Sequence, residues 1–145
     1  MANSEKQNPN KGEHSNRVFN ILELLDDKYQ KRFLKYLRSP YFIQSKTLHQ
    51  LCQAFFILNS KRKKEVDREK IWENAFESEK YDDVLFRKYC SDLLKHLQIF
   101  MAHESIAENP MKLAVERIDF IADNKIEPLY KSAAQEFRTL LEEQP

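Results

Sequence analysis

The apolar positions of this chain fall into stripes spaced by threes and fours, the pattern of helices that each bury one side. Val18, Ile21, Leu22 and Leu25 make the first stripe; Tyr29, Phe33, Leu34 and Leu37 make the second. Leu48, Leu51, Cys52, Phe55 and Leu58 form a third, flanked by Phe56 and Ile57, and a short fourth carries Ile71, Trp72, Ala75 and Phe76. The widest runs from Tyr81 to Ala107. There Phe86, Tyr89, Cys90, Leu93, Leu97, Phe100, Met101 and Glu104 share one side, broadened by Leu85, Leu94 and Ile99. Burying nine or so such side chains contributes roughly 1.5–3 kcal/mol each before entropy is counted, so this helix is expected at the centre, clasped on two or three sides. Met111, Ala114, Val115, Ile118, Ile121 and Ala122 make a sixth stripe, and Leu129, Ala133, Phe137, Leu140 and Leu141 a seventh.

The punctuation between stripes fits that reading. Asn16, Asp27, Ser45, Asp67, Asp82 or Asp83, and Asn109 are placed to cap helices. Ser39-Pro40 ends the second helix, while Asn109-Pro110 and Glu127-Pro128 open the last two. Tyr41, Phe42 and Ile43 follow Pro40 directly, and three large apolar residues there predict a turn that plugs the end of the core. The predicted fold is all-α: a single helical bundle of about seven helices, with a central apolar helix over 81–107 and a C-terminal hairpin. A polar tail over 1–16 is expected to be disordered, followed by a helical domain over 17–145 made of a core bundle (17–107) and the hairpin (108–145). The seventh stripe is still apolar where the chain stops, which predicts self-association or further helices downstream.

Composition narrows the function more than it names one. Of 145 residues a single one is glycine, Gly12, in the polar tail. That leaves no phosphate-cradling loop, dinucleotide fingerprint or nucleophile elbow, and few positions for tight β-hairpins. The expectation is therefore no enzyme, no cofactor and no small-molecule substrate. No apolar run approaches the length of a membrane span, and the N-terminus lacks the apolar core of a signal peptide, which together predict a cytoplasmic protein.

Cys52 and Cys90 sit on apolar stripes and read as buried free thiols. The competing reading joins His49 and Cys52 to Cys90 with His96 or His103 as a zinc site. Carboxylate pairs occur at Asp26-Asp27, Asp82-Asp83 and Glu142-Glu143; the first two are better explained as helix caps than as acid–base machinery.

Two stretches resemble known families. Phe33-Leu34-Lys35-Tyr36-Leu37-Arg38-Ser39-Pro40-Tyr41-Phe42, with Ser91-Asp92-Leu93-Leu94-Lys95-His96-Leu97 later, is similar to an uncharacterised family of bacterial helical proteins. In that family an L-x-S-P-Y-F turn precedes a tryptophan- or phenylalanine-bearing helix and then a leucine-rich one. The resemblance covers about Leu22 to Met101 and implies a fold and no activity. More weakly, Val66 to Phe100 resembles the helical part of winged-helix domains in bacterial transcriptional activators, where the second helix enters the major groove and a β-hairpin wing follows; here the pattern departs from the family, because more helix follows Phe100.

The net charge of +1 hides a split. Up to Lys64 the chain has 13 Lys/Arg against 5 Asp/Glu, a net +8; from Glu65 onward it has 11 against 18, a net −7. Lys28, Lys31, Arg32, Lys35 and Arg38 crowd the second helix, and Lys61, Arg62, Lys63 and Lys64 follow the third. These residues are the candidates for binding an anionic partner, DNA or RNA included. An equal alternative is that the two halves neutralise each other within the fold. Tyr36, Tyr41, Phe42 and Phe56 are the candidate anchors for a protein partner. The leading expectation is thus a protein-interaction or scaffold module, by self-association or with another protein, with nucleic-acid binding as the alternative.

Overall fold

The computed structural model describes residues 9–61 and 67–145, with side chains from Arg17 onward. Among the described residues there are seven α-helices and no strand. They are α1 (Pro9–Leu24), α2 (Asp27–Arg38), α3 (Lys46–Ser60), α4 (Arg68–Ala75), α5 (Asp83–Ala107), α6 (Pro110–Asp123) and α7 (Glu127–Glu142). α5 is followed by α6, the further helix that the stripe pattern predicts in place of a wing.

The first helix departs from expectation. It begins at Pro9 rather than after Asn16, so half of the predicted tail is helical. Proline suits the first helical position, where its missing N–H costs nothing. Asp27 is likewise not the cap of α2: Asp26 occupies that position without a side-chain bond to the helix. The join is secured instead by Gln30, whose Nε2 donates to the carbonyls of Leu22 at 3.0 Å and Leu25 at 3.1 Å. The Leu22 carbonyl, in the last turn of α1, also accepts from Leu25 N at 3.2 Å, and the Leu25 carbonyl lies just past the helix end.

Elsewhere the caps form as the spacing predicts. Ser45 accepts from Leu48 N at 3.1 Å, Asp67 from Glu69 N at 3.3 Å, and Asp82 from Leu85 N at 3.1 Å. Asn109 accepts from both Met111 N and Lys112 N.

The chain divides into two compact units, Met1–Gln98 and Ile99–Pro145, so the division falls inside α5 and not after it. The first unit has an aromatic core. Phe19 lies 4.8 Å from Phe55 and 6.0 Å from Phe86, centroid to centroid. Trp72 is buried among Phe76, Tyr81, Tyr89 and Phe86, and its indole Nε1 donates to the Glu79 carbonyl at 3.0 Å. On α5 the buried residues are Phe86, Cys90, Leu93, Leu97 and Phe100, with Leu85, Tyr89 and Leu94 half-buried beside them. Ile99 and Met101, expected inside, are exposed. The helix therefore buries one wide stripe and is not enclosed all round.

In the second unit α6 and α7 form an antiparallel hairpin. Its turn solves the shortage of glycine in an unusual way. Lys125 takes the left-handed conformation, φ 55°, just past the end of α6. The Lys125 N–H bonds the Ala122 carbonyl and the Ile126 N–H bonds the Ile121 carbonyl, the paired pattern that normally puts glycine at this position. Gln44, at φ 45°, does the same in the turn before α3. The lack of glycine thus did not remove positive-φ positions; it placed a lysine and a glutamine in them.

Candidate interaction surfaces

In the first unit the Ser39–Gln44 turn is built by backbone bonds. Phe42 N and Gln44 N both donate to the Ser39 carbonyl at 3.1 Å, and Ser45 N donates to Leu37 O at 2.8 Å. This turn plugs the core only in part. Ile43 is half-buried, while Tyr41 is 87% exposed and Phe42 42%. Rings nevertheless link surface to interior: Tyr41 sits 5.2 Å from Phe42, Phe42 4.7 Å from Tyr36, and Tyr36 5.9 Å from Phe33.

Tyr36 itself, a candidate anchor from the sequence, is buried. It belongs to the α2 side that also buries Phe33 and Leu37, and its hydroxyl meets His96 Nδ1 at 3.3 Å. It is not available as a surface anchor. Phe56 is half-buried beside Phe55.

The outer side of α2 is basic. Lys28, Lys31, Arg32, Lys35 and Arg38 are all exposed, and the spacing of 28, 31, 35 and 38 puts four of them on one face. Lys28 Nζ lies 4.7 Å above the Tyr29 ring. Among the described residues Lys31, Lys35 and Arg38 form no ion pair. Arg38 also lines a small cleft with Gln44, Lys46 and His49. Burial, and then the Arg38 charge, lower the His49 pKa. Lys61 is exposed at the end of α3, while Arg62, Lys63 and Lys64 lie outside the described residues.

Asp83 takes the Tyr81 hydroxyl at 2.9 Å and pairs with Arg87 and Arg68, at 3.1 and 3.6 Å. Burial first, and the Asp83 bond second, push the Tyr81 phenol up to about 12. Cys52 and Cys90 are free and buried. Burial raises both thiols, Cys90 to about 12, which keeps them protonated and poor as nucleophiles or metal ligands. Among the described residues no three His, Cys, Asp or Glu side chains converge on a metal-sized site. A polar cleft of about 480 Å³ runs between α3 and α4, lined by Gln50, Gln53, Asn74 and Glu77 among others. Ligand pockets are predominantly apolar with few convergent polar groups, and this cleft is the reverse.

In the second unit the α6–α7 hairpin has two unlike sides. Arg117 and Glu136 pair across one of them and stand between Leu113, Phe120 and Leu129, all exposed. The opposite side carries no such bridge. By helical spacing it presents Met111, Val115, Ile118 and Ala122 on α6, beside Tyr130, Ala134, Phe137 and Leu141 on α7. A cleft lined by Ala122, Lys125 and Tyr130, among others, opens at its turn end. Val115 is 37% exposed, Tyr130 52% and Leu141 51%. The apolar stripe on α7 was legible in the sequence, but Tyr130 as its aromatic member was missed; its i, i+4, i+7, i+11 spacing with Ala134, Phe137 and Leu141 was the available signal.

No helix among the described residues is long and apolar enough to cross a membrane. No known protein family, no curated protein and no solved structure gives a significant match to the chain.

Proposed function

We propose that this chain is a non-enzymatic helical interaction module whose partner is a protein. The observation that carries the reading is the unbridged side of the α6–α7 hairpin, where apolar residues on both helices remain open to solvent. Contiguous apolar surface of this kind is where proteins meet. The exposed Tyr41–Phe42 turn offers a second, smaller anchor on the first unit. The test is a photo-crosslinking amino acid placed at Tyr130, at Tyr41 and at Lys35 in turn, with the chain expressed in the cells that make it. Protein adducts at Tyr130 or Tyr41 are expected; none at either position sinks the reading.

A second reading is favoured by one observation: Lys31, Lys35 and Arg38 share an exposed face without ion pairs among the described residues. Such a face attracts phosphates, in DNA or RNA. Anisotropy of duplex and single-stranded oligonucleotides, titrated at low and moderate salt, tests it. Here a steep loss with salt is expected, and the triple variant Lys31→Glu, Lys35→Glu, Arg38→Glu removes binding altogether. Binding that ignores the three reversals excludes this face.

A further inference from the structure

We infer that the unbridged side of the α6–α7 hairpin is covered by the same side of a second copy, forming a four-helix bundle. The inference rests on the interaction-module reading of that side and names its partner. On α6 the apolar positions 111, 115, 118 and 122 follow the three–four spacing of a bundle seam, and on α7 so do 130, 134, 137 and 141. A hairpin offers two helices of such a bundle. A second hairpin supplies the other two.

The charges along the edges choose the copy over other helical partners. Beyond the seam, α6 carries Glu116, Asp119 and Asp123, while α7 carries Lys131 and Arg138. None of these five forms an ion pair or hydrogen bond among the described residues. The Arg117–Glu136 pair marks the register of the hairpin. In that register Glu116 is level with Arg138 to within about one turn, and Lys131 lies between the levels of Asp119 and Asp123.

A twofold axis parallel to the helices keeps those levels and lays α6 of one copy antiparallel along α7 of the other. Each acidic edge then meets a basic edge, twice. Lys112 and Glu142 extend the match toward the far end, and Glu127, beside the turn, is the one residue out of pattern. A single chain cannot use this complementarity, because its own α6 and α7 edges point away from each other.

Sedimentation of the full chain tests the pairing. The wild type is expected to run as a dimer. The variant Glu116→Lys, Asp119→Lys, Asp123→Lys sets basic against basic at both edges, and Lys131→Glu, Arg138→Glu sets acid against acid. Each alone should raise the dissociation constant at least about tenfold. An equimolar mixture of the two variants is complementary at both edges again, so it should recover the dimer mass. All these positions are exposed, so circular dichroism should show the helices intact.

A wild type that remains monomeric at the highest concentration it tolerates overturns the inference, as does a mixture that fails to recover. If Tyr130 then crosslinks in cells to a different protein, self-pairing falls and the interaction-module reading stands. If Tyr130 and Tyr41 crosslink to no protein at all, both fall.

Discussion

The two units divide the apolar residues of the chain very unequally. The first buries Trp72, Phe33, Phe86 and a ring of leucines almost completely. In the α6–α7 hairpin only Ala114, Ile121 and Ala133 are buried, and two of those are alanines. Yet among the described residues eight of the thirteen large apolar side chains left exposed lie at or beyond Ile99. The reason is geometric: two helices can hide only the strip along which they touch, and their flanks stay wet until something packs on them. The first unit buries a core of large side chains and leaves Leu24, Tyr41 and Val84 exposed around it; the hairpin has no comparable core.

The sharpest way to break this contrast is Trp72→Ala. The side chain is 2% exposed, surrounded by four aromatic neighbours, and holds the Glu79 carbonyl. Its removal should cost about 3–5 kcal/mol, measured by chemical denaturation followed by circular dichroism. A cost below about 1 kcal/mol would mean that the aromatic cluster does not hold the first unit together.

Asn109→Ala acts on the other region. It removes two bonds to the first turn of α6 and should cost about 1 kcal/mol. Because Trp72 is the sole tryptophan, its fluorescence reports on the first unit alone. The variant should shift the circular dichroism transition and leave the fluorescence transition in place. Coincident shifts would show that the two units unfold as one.

Most of this architecture was legible in the sequence, for identifiable reasons. Helix existence follows from periodicity, and Ser45, Asp67 and Asn109 are caps whose chemistry is local. What failed depended on neighbours far away in the chain. Tyr36 and Tyr41 look alike in sequence as tyrosines near a helix end. One is buried with its hydroxyl on His96, sixty residues on, and the other is exposed in a turn whose Phe42 and Gln44 amides donate to the Ser39 carbonyl. Ile99 and Met101 sit on a periodic helix, but periodicity says which residues share a side and not how far the burying partners extend. The open side of the hairpin is half legible: the stripes can be read, while the register of its charged edges is seen only in the structure, where Arg117 stands level with Glu136.

A smaller effect separates the units by pH. Burial, reinforced by Lys95 and opposed by Asp92, holds His96 below its ordinary 6.5, and His49 is lowered by burial and Arg38. A histidine with a depressed folded pKa binds its proton more readily when unfolded. Its contribution to stability is therefore complete above the ordinary value and shrinks as pH falls from there toward the folded value. Protonation also turns Nδ1 of His96 into a donor, so the Tyr36 hydroxyl must then accept. Stability followed through Trp72 fluorescence should be flat above neutrality and decline in mild acid. His96→Gln with His49→Gln should flatten that decline; an unchanged slope would move its origin to other groups.

The smallest expected effect is the most instructive about the hairpin. Phe120 is 63% exposed on the side bridged by Arg117 and Glu136. A phenylalanine in the core of the first unit could not be lost without a large cost, but Phe120→Ser should change stability by no more than about 0.5 kcal/mol. It should also leave the sedimentation mass untouched, because it lies away from the side assigned to the second copy. A loss of dimer in this variant would move the contact to the bridged side. A cost near that of Trp72→Ala would mean that Phe120 is covered in solution, and the hairpin would then be as self-sufficient as the first unit.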